Sequence, residues 1–314
     1  MPNPNAAASA GEPARLATAI GKYPNTAALF DGRIASSLVS LQFADFPTIN
    51  RAFAPMLREE RFDVCEMAIA SFLQAKAYGK PLLLLPVVLA ARFQEPALLC
   101  LAASGILNPR DLKGRRVGVR AYSQTTGVWL RGILADDYGI GAHEIGWVTF
   151  EDAHVAEYRD PPWTKRAPPG ADLFGMLRQG ELDAVIVGND VPNDPTLRGV
   201  FADPEASAAA FWRQHGVVPI NHMLIVRGAW GARRPDLVQE LIRMFRAAAA
   251  AAPAGEPRAG AVWPPTQLNS ALQLALRYST DQGLLPRTMD LAEVWAGLPV
   301  QDDGELAEQR APRD

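Results

Sequence analysis

Residues 61–80, RFDVCEMAIASFLQAKAYGK, change pattern partway through. The first part, 62–64, reads as a short buried strand and 68–78 as an apolar helix, so one element is handed directly to the next. Glu66 stands at that handover, and the flanking Val64, Met67, Ile69 and Phe72 predict that its carboxylate is covered. Where such strand-helix units repeat, the fold is α/β, and the C-terminal ends of its parallel strands are where ligands are held.

The unit does repeat. Strands are predicted over 16–20, 34–41, 62–64, 82–88, 97–101, 117–119, 145–149, 184–187 and 223–226. Helical patterns fill the gaps at 48–59, 68–78, 126–138, 172–179, 204–215 and 235–252, with another at 267–277. Residues 102–217 form a βαβαβ set of their own, which divides the chain into a second lobe over 102–217 and a discontinuous first lobe of 1–101 plus 218–314. Strands crossing between the lobes would leave a cleft, a usual place for a ligand. The segment PAGEPRAGAVWPP reads as a Pro/Gly-rich loop and the final VQDDGELAEQRAPRD as a frayed polar end.

Composition narrows the partners. The chain has 314 residues, 48% of them hydrophobic, enough for a substantial core. Its 31 basic and 34 acidic residues give a net charge of -3, and no Lys/Arg block offers a phosphate-tracking surface, so nucleic acid is not expected. The longest apolar run, PLLLLPVVLAA, is broken by Pro86 and bounded by Lys80 and Arg92, and no membrane span is expected. The N-terminus lacks the basic and continuous apolar regions of an export signal, which points to the cytoplasm. Cys65 and Cys100 have neither CxxC nor zinc spacing and read as buried thiols. Nothing calls for a cofactor, and the sequence leaves room for a homo-oligomer.

Four stretches carry a family likeness: FDVCEMAIASFLQAKAYGKP, LKGRRVGVRAYSQTTGVWLRGILADDYGI, LRQGELDAVIV and GVVPINHMLIVR. Together they resemble the 4,5-dihydroxyphthalate decarboxylases, in order and with matching spacing. The resemblance implies a periplasmic-binding-protein-like fold of type 2, with two α/β lobes, crossing strands and an interlobe cleft. It also implies that His222 falls where those decarboxylases keep a histidine. The chain departs from the family pattern in two places. An Arg-His pair is expected after the strand ending near Arg92, but ARFQEPALL keeps the arginine and supplies Glu95 and Pro96. The second lobe has FEDAHVAEYRDPPW where a Gly-rich segment is expected.

Several side chains then become candidates. Glu66, in the strand-to-helix loop, is read either as a proton donor kept neutral by its covering or as a first-turn helix acid. Ser71 follows on the same segment, facing the ligand or solvent. Arg92 emerges at a strand end, where its planar fork suits a carboxylate; the bland alternative is a surface salt bridge. In SQTTG, Ser123, Gln124 and Thr125 precede a helix whose first amides suit an anion, and the lysine and glycine spacing of a P-loop are missing. His222 is a proton donor near the hinge or a histidine paired to backbone. His154 and Glu157 lie on one face if their segment is helical, as ligand-binding groups or, with Asp152, as metal ligands; an ion pair in a solvated loop is the alternative. Trp129 reads as core. The expectation is a decarboxylase of a small hydroxyaromatic or ring dicarboxylic acid; a solute-binding protein for a small carboxylate and a same-fold hydrolase are the alternatives.

Overall fold

The computed structural model describes residues 12–188, 191–253 and 265–299. The polar C-terminal end and most of the Pro/Gly-rich loop predicted above lie outside the described residues. Two sheets organise the chain. The first has the order β2-β1-β3-β11-β4, built from β1 (Ala14–Ala19), β2 (Val39–Phe43), β3 (Val64–Ala68), β4 (Leu82–Ala91) and β11 (Ile220–Arg227). Strands β1, β2 and β3 are parallel, while β11 runs antiparallel between β3 and β4. The second has the order β10-β5-β9-β6-β7-β8, from β5 (Leu98–Leu101), β6 (Arg116–Val119), β7 (Gly146–Thr149), β8 (Thr164–Arg166), β9 (Ala184–Ile186) and β10 (Leu197–Gly199).

The chain therefore crosses between sheets after Ala91 and returns before Ile220. Leu98–Leu101, read above as lying ahead of the second lobe, hydrogen-bonds within the second sheet. Strands β8 and β10 were not expected. Each has three residues and no apolar alternation, and each forms because it completes a sheet edge already in place.

Helices cover the sheets: α1 (Ala27–Phe30), α2 (Phe53–Glu59), α3 (Ile69–Ala77), α4 (Thr125–Tyr138), α5 (Leu173–Arg178), α6 (Pro204–His215), α7 (Trp230–Arg233), α8 (Pro235–Ala250), α9 (Pro265–Asp281) and α10 (Leu291–Val294). Helix α8 buries Leu237, Leu241, Met244 and Phe245 on the outer face of the first sheet, against Leu83, Leu85 and Val87. The larger core runs from Cys65 and Met67 on the other face of that sheet through α3 to Trp129 and Trp147 of the second lobe. It is continuous because α9 packs on both α3 and α4. Both cysteines are buried and free, as read. Among the described residues, no helix is long and apolar enough to cross a membrane.

Candidate functional site

Glu66 is not in a loop. It lies in the middle of β3, fully buried, because pairing with β1 on one side and β11 on the other carries the strand past the predicted handover. The pairing partner β11 comes from a distant part of the sequence, so the local pattern could not announce it. Its antiparallel register sets Leu224 opposite Glu66 and His222 opposite Ala68, so His222 is the diagonal neighbour of Glu66 on the same face. His222 Nδ1 is 2.6 Å from Glu66 Oε1. The same oxygen accepts from Tyr23 Oη at 2.8 Å, and Oε2 accepts from the backbone amide of Gly21 at 2.8 Å. A Cβ on Gly21 would stand 2.3 Å from the Tyr23 ring, so a bare backbone there lets the phenol fold back onto the carboxylate. Burial and the Glu66 charge push the Tyr23 phenol upward, keeping it a donor.

This arrangement fixes a tautomer. A carboxylate oxygen that accepts leaves the hydrogen on His222 Nδ1, and Nε2 is the ring atom free to serve a ligand. His222 lines a cavity of about 240 Å³, whereas Glu66 stands behind it. The carboxylate orients the imidazole; it does not itself front the cavity.

Two helices begin at this cavity. Ala68, Ser71 and the start of α3 approach from the first sheet; Ser123, Gln124, Thr125, Thr126 and the start of α4 approach from the second. Ala70 N donates to Thr125 Oγ1 at 3.3 Å, joining the two starts. The first amides of a helix lack intrahelical acceptors and carry the positive end of its dipole, so two such ends can serve as a cradle for an anion, apart from Ala70 N, which Thr125 Oγ1 already holds. Arg120 adds a full charge at the cavity wall while pairing with Glu151 at 2.7 Å.

On another wall, His154 Nδ1 is 2.8 Å from Ser71 Oγ. Phe53 meets the His154 and His222 rings edge-on at centroid distances of 5.5 and 5.3 Å, so one buried phenyl spaces two imidazoles. Burial first, then the Arg120, Arg58 and His222 charges, depress the His154 pKa to about 3, leaving it a neutral imidazole.

Six of the predicted residues thus face one cavity: Ser71, Ser123, Gln124, Thr125, His154 and His222. Arg92 sits just behind it. Its Nη2 donates to Gly188 O at 3.2 Å and Thr126 Oγ1 at 3.4 Å, two residues that do line the cavity. Glu157 is exposed and pairs with Lys80 at 2.6 Å, while Asp152 pairs with Arg166. His154, Glu157 and Asp152 therefore point to three different partners, and no metal-ligating group of three or more appears among the described residues. Sequence reasoning passed over Tyr23, Phe53, Arg120 and Asn221. Arg120 had a usable signal: like Arg92, it is the first residue beyond a buried strand.

No family model matches the chain. Two curated relatives do. A 4,5-dihydroxyphthalate decarboxylase from Comamonas testosteroni is 30% identical over 250 residues, covering 74% of this chain and 73% of the relative. A 4,5-dihydroxyphthalate decarboxylase from Pseudomonas putida is 30% identical over 211 residues, covering 63% of this chain and 81% of the relative. Among solved structures, the periplasmic aliphatic sulphonate binding protein SsuA from Escherichia coli superposes with a TM-score of 0.54 at 16% identity, over 92% of this chain and 99% of that one. That likeness establishes the two-lobe fold.

Proposed function

The chain belongs to the 4,5-dihydroxyphthalate decarboxylase family, and from that premise we propose that it decarboxylates a small hydroxyaromatic dicarboxylic acid held between its lobes. The observation that carries the reading is the Glu66–His222 contact at 2.6 Å, which orients an imidazole lining the cavity where the two helices begin and leaves its Nε2 for a ligand. The helix starts and Arg120 hold the carboxylates. His222, in its protonated form, delivers a proton from Nε2 to the ring carbon bearing one carboxylate.

A hydroxyl para to that carboxylate makes the step feasible. As solvent takes the phenolic proton, the oxygen's electrons push through the ring, carbon takes the proton that His222 delivers, and a dienone forms. The bond to the carboxylate then breaks, its electron pair restores the aromatic ring, carbon dioxide departs and the phenolate regains a proton. The balance is one proton consumed per carbon dioxide released. A positioned imidazole suits this transfer, provided the reacting carbon is held against it.

The test is carbon dioxide release from 4,5-dihydroxyphthalate and a panel of hydroxylated aromatic acids, with binding measured separately by calorimetry. His222→Asn should abolish turnover while binding persists. Glu66→Gln, which keeps the acid and loses only the carboxylate that orients it, should lower turnover by less than the roughly 10²–10⁴-fold worth of the positioned acid itself. Tight binding with no release from any acid would replace this reading with that of a solute-binding protein, the activity carried by the name of the SsuA neighbour.

A further inference from the structure

Arg131 has no part in the chemistry above, yet it is one of the largest fully buried side chains, 1% exposed, on the inner face of α4. Its Nε donates to Gln282 Oε1 at 2.7 Å and its Nη2 to the Tyr122 carbonyl at 2.5 Å. The guanidinium carbon lies 3.9 Å from the centroid of the Tyr122 ring and 5.0 Å from that of Trp147. Every one of these partners is neutral. Among the described residues no carboxylate forms an ion pair with it. Asp160, which feels its charge, is exposed and accepts from Thr149.

The third nitrogen, Nη1, has no hydrogen-bond partner among the described residues. It lies under the first turn of α4: a Cβ on Gly127 would stand 3.0 Å from it. A buried cation without a counter-charge is costly, and placing it beside the positive end of a helix compounds the cost. An anion in the cradle above relieves both. Through Tyr122, Arg131 also grips the residue immediately before Ser123, where the cradle begins.

We propose that Arg131 is a positioning residue of the anion site, pinning the 122–126 loop from below and leaving its positive charge for the ligand's carboxylate to balance. The inference rests on the anionic-ligand half of the proposed function and is independent of decarboxylation.

The test supplies Arg131 with an internal counter-charge. Gln282→Glu places a carboxylate against Nε, and Gln282→Met is its control, since both lose the bond from Gln282 Nε2 to Val128 O. Calorimetry on the full chain with phthalate and 4,5-dihydroxyphthalate should show Gln282→Glu binding about tenfold more weakly than Gln282→Met, the scale of one partly screened charge. Thermal stability should not fall in parallel, which a purely structural arginine would not predict. Arg131→Lys against Arg131→Met approaches from the other side: lysine should retain most of the affinity that methionine loses. Equal affinities within both pairs would overturn the proposal. If the unmodified chain binds these acids without releasing carbon dioxide, the decarboxylase reading falls and Arg131 is still judged by the pairs. If it binds neither acid, nor sulfate, the anion site and this proposal fall together.

Discussion

His154 shows what one side chain's surroundings decide. Its ring sits against Phe53 and Ser71 with Arg120 and Arg58 nearby, and its pKa is held at about 3, far below that of an unfolded histidine near 6.5. Between those values the unfolded chain binds the extra proton and the folded chain does not, so stability falls as pH drops through that window and is unaffected above it. Allowing for partial exposure, we expect His154→Gln to remove about 1–2 kcal/mol of the loss seen between pH 6.5 and 4.5. Urea midpoints measured across that range check it; parallel curves for the two proteins would show that His154 protonates freely. The sequence singled out Ser71, His154, Glu66 and His222 one by one, but not their pairing. The two contacts join residues 83 and 156 positions apart, and only sheet register and lobe packing bring such positions together.

Elements were more legible where their ends are written in the chain. Pro204 opens α6 behind an Asp203 cap that accepts from Ala206 N, and Gly139 and Gly216 close α4 and α6 in the left-handed region at φ 69° and 65°. What the pattern left silent is which faces meet. Helices α4 and α9 approach so closely at Gly132 that a Cβ there would stand 2.2 Å from the ring of Tyr278. That ring is anchored by its own hydroxyl, which donates to Asp136 at 2.7 Å, while Arg277 holds the same carboxylate. Alanine is a better helix former than glycine by about 1 kcal/mol, and forced overpacking costs about 1–3 kcal/mol. The second effect should win, because the obstacle is a ring held at both ends. Gly132→Ala is therefore expected to destabilise the protein by up to about 2 kcal/mol in urea. An unchanged or higher midpoint would mean that Tyr278 swings aside at no cost.

Across the whole molecule, the two sheets are joined by more than their crossing strands. The segment after β7 reaches back to the first lobe at several points. Arg58 on α2 donates to the carbonyls of Ala153 and His154 at 2.7 and 3.0 Å, Ser71 meets His154, and Lys80 pairs with Glu157. His154 also lines the cavity, so these bonds and a ligand held there would favour the same arrangement of the two lobes. Their contributions differ in kind. Lys80–Glu157 is a solvent-exposed ion pair of the sort that contributes about 0–1 kcal/mol, whereas Arg58 makes two charge-assisted bonds to carbonyls that would otherwise lack that partner. If closure is linked to binding, weakening the closed form raises the apparent dissociation constant by the same factor in which it lowers the closed population. Arg58→Met should therefore weaken 4,5-dihydroxyphthalate binding by roughly tenfold or more, and Lys80→Met by less than about threefold. Solution scattering should give Arg58→Met a larger radius of gyration without ligand, returning to the unmodified value at saturation. Equal affinities for the two variants, with unchanged scattering, would show that the lobes hold their places without this strap and that ligand and closure are not linked through it.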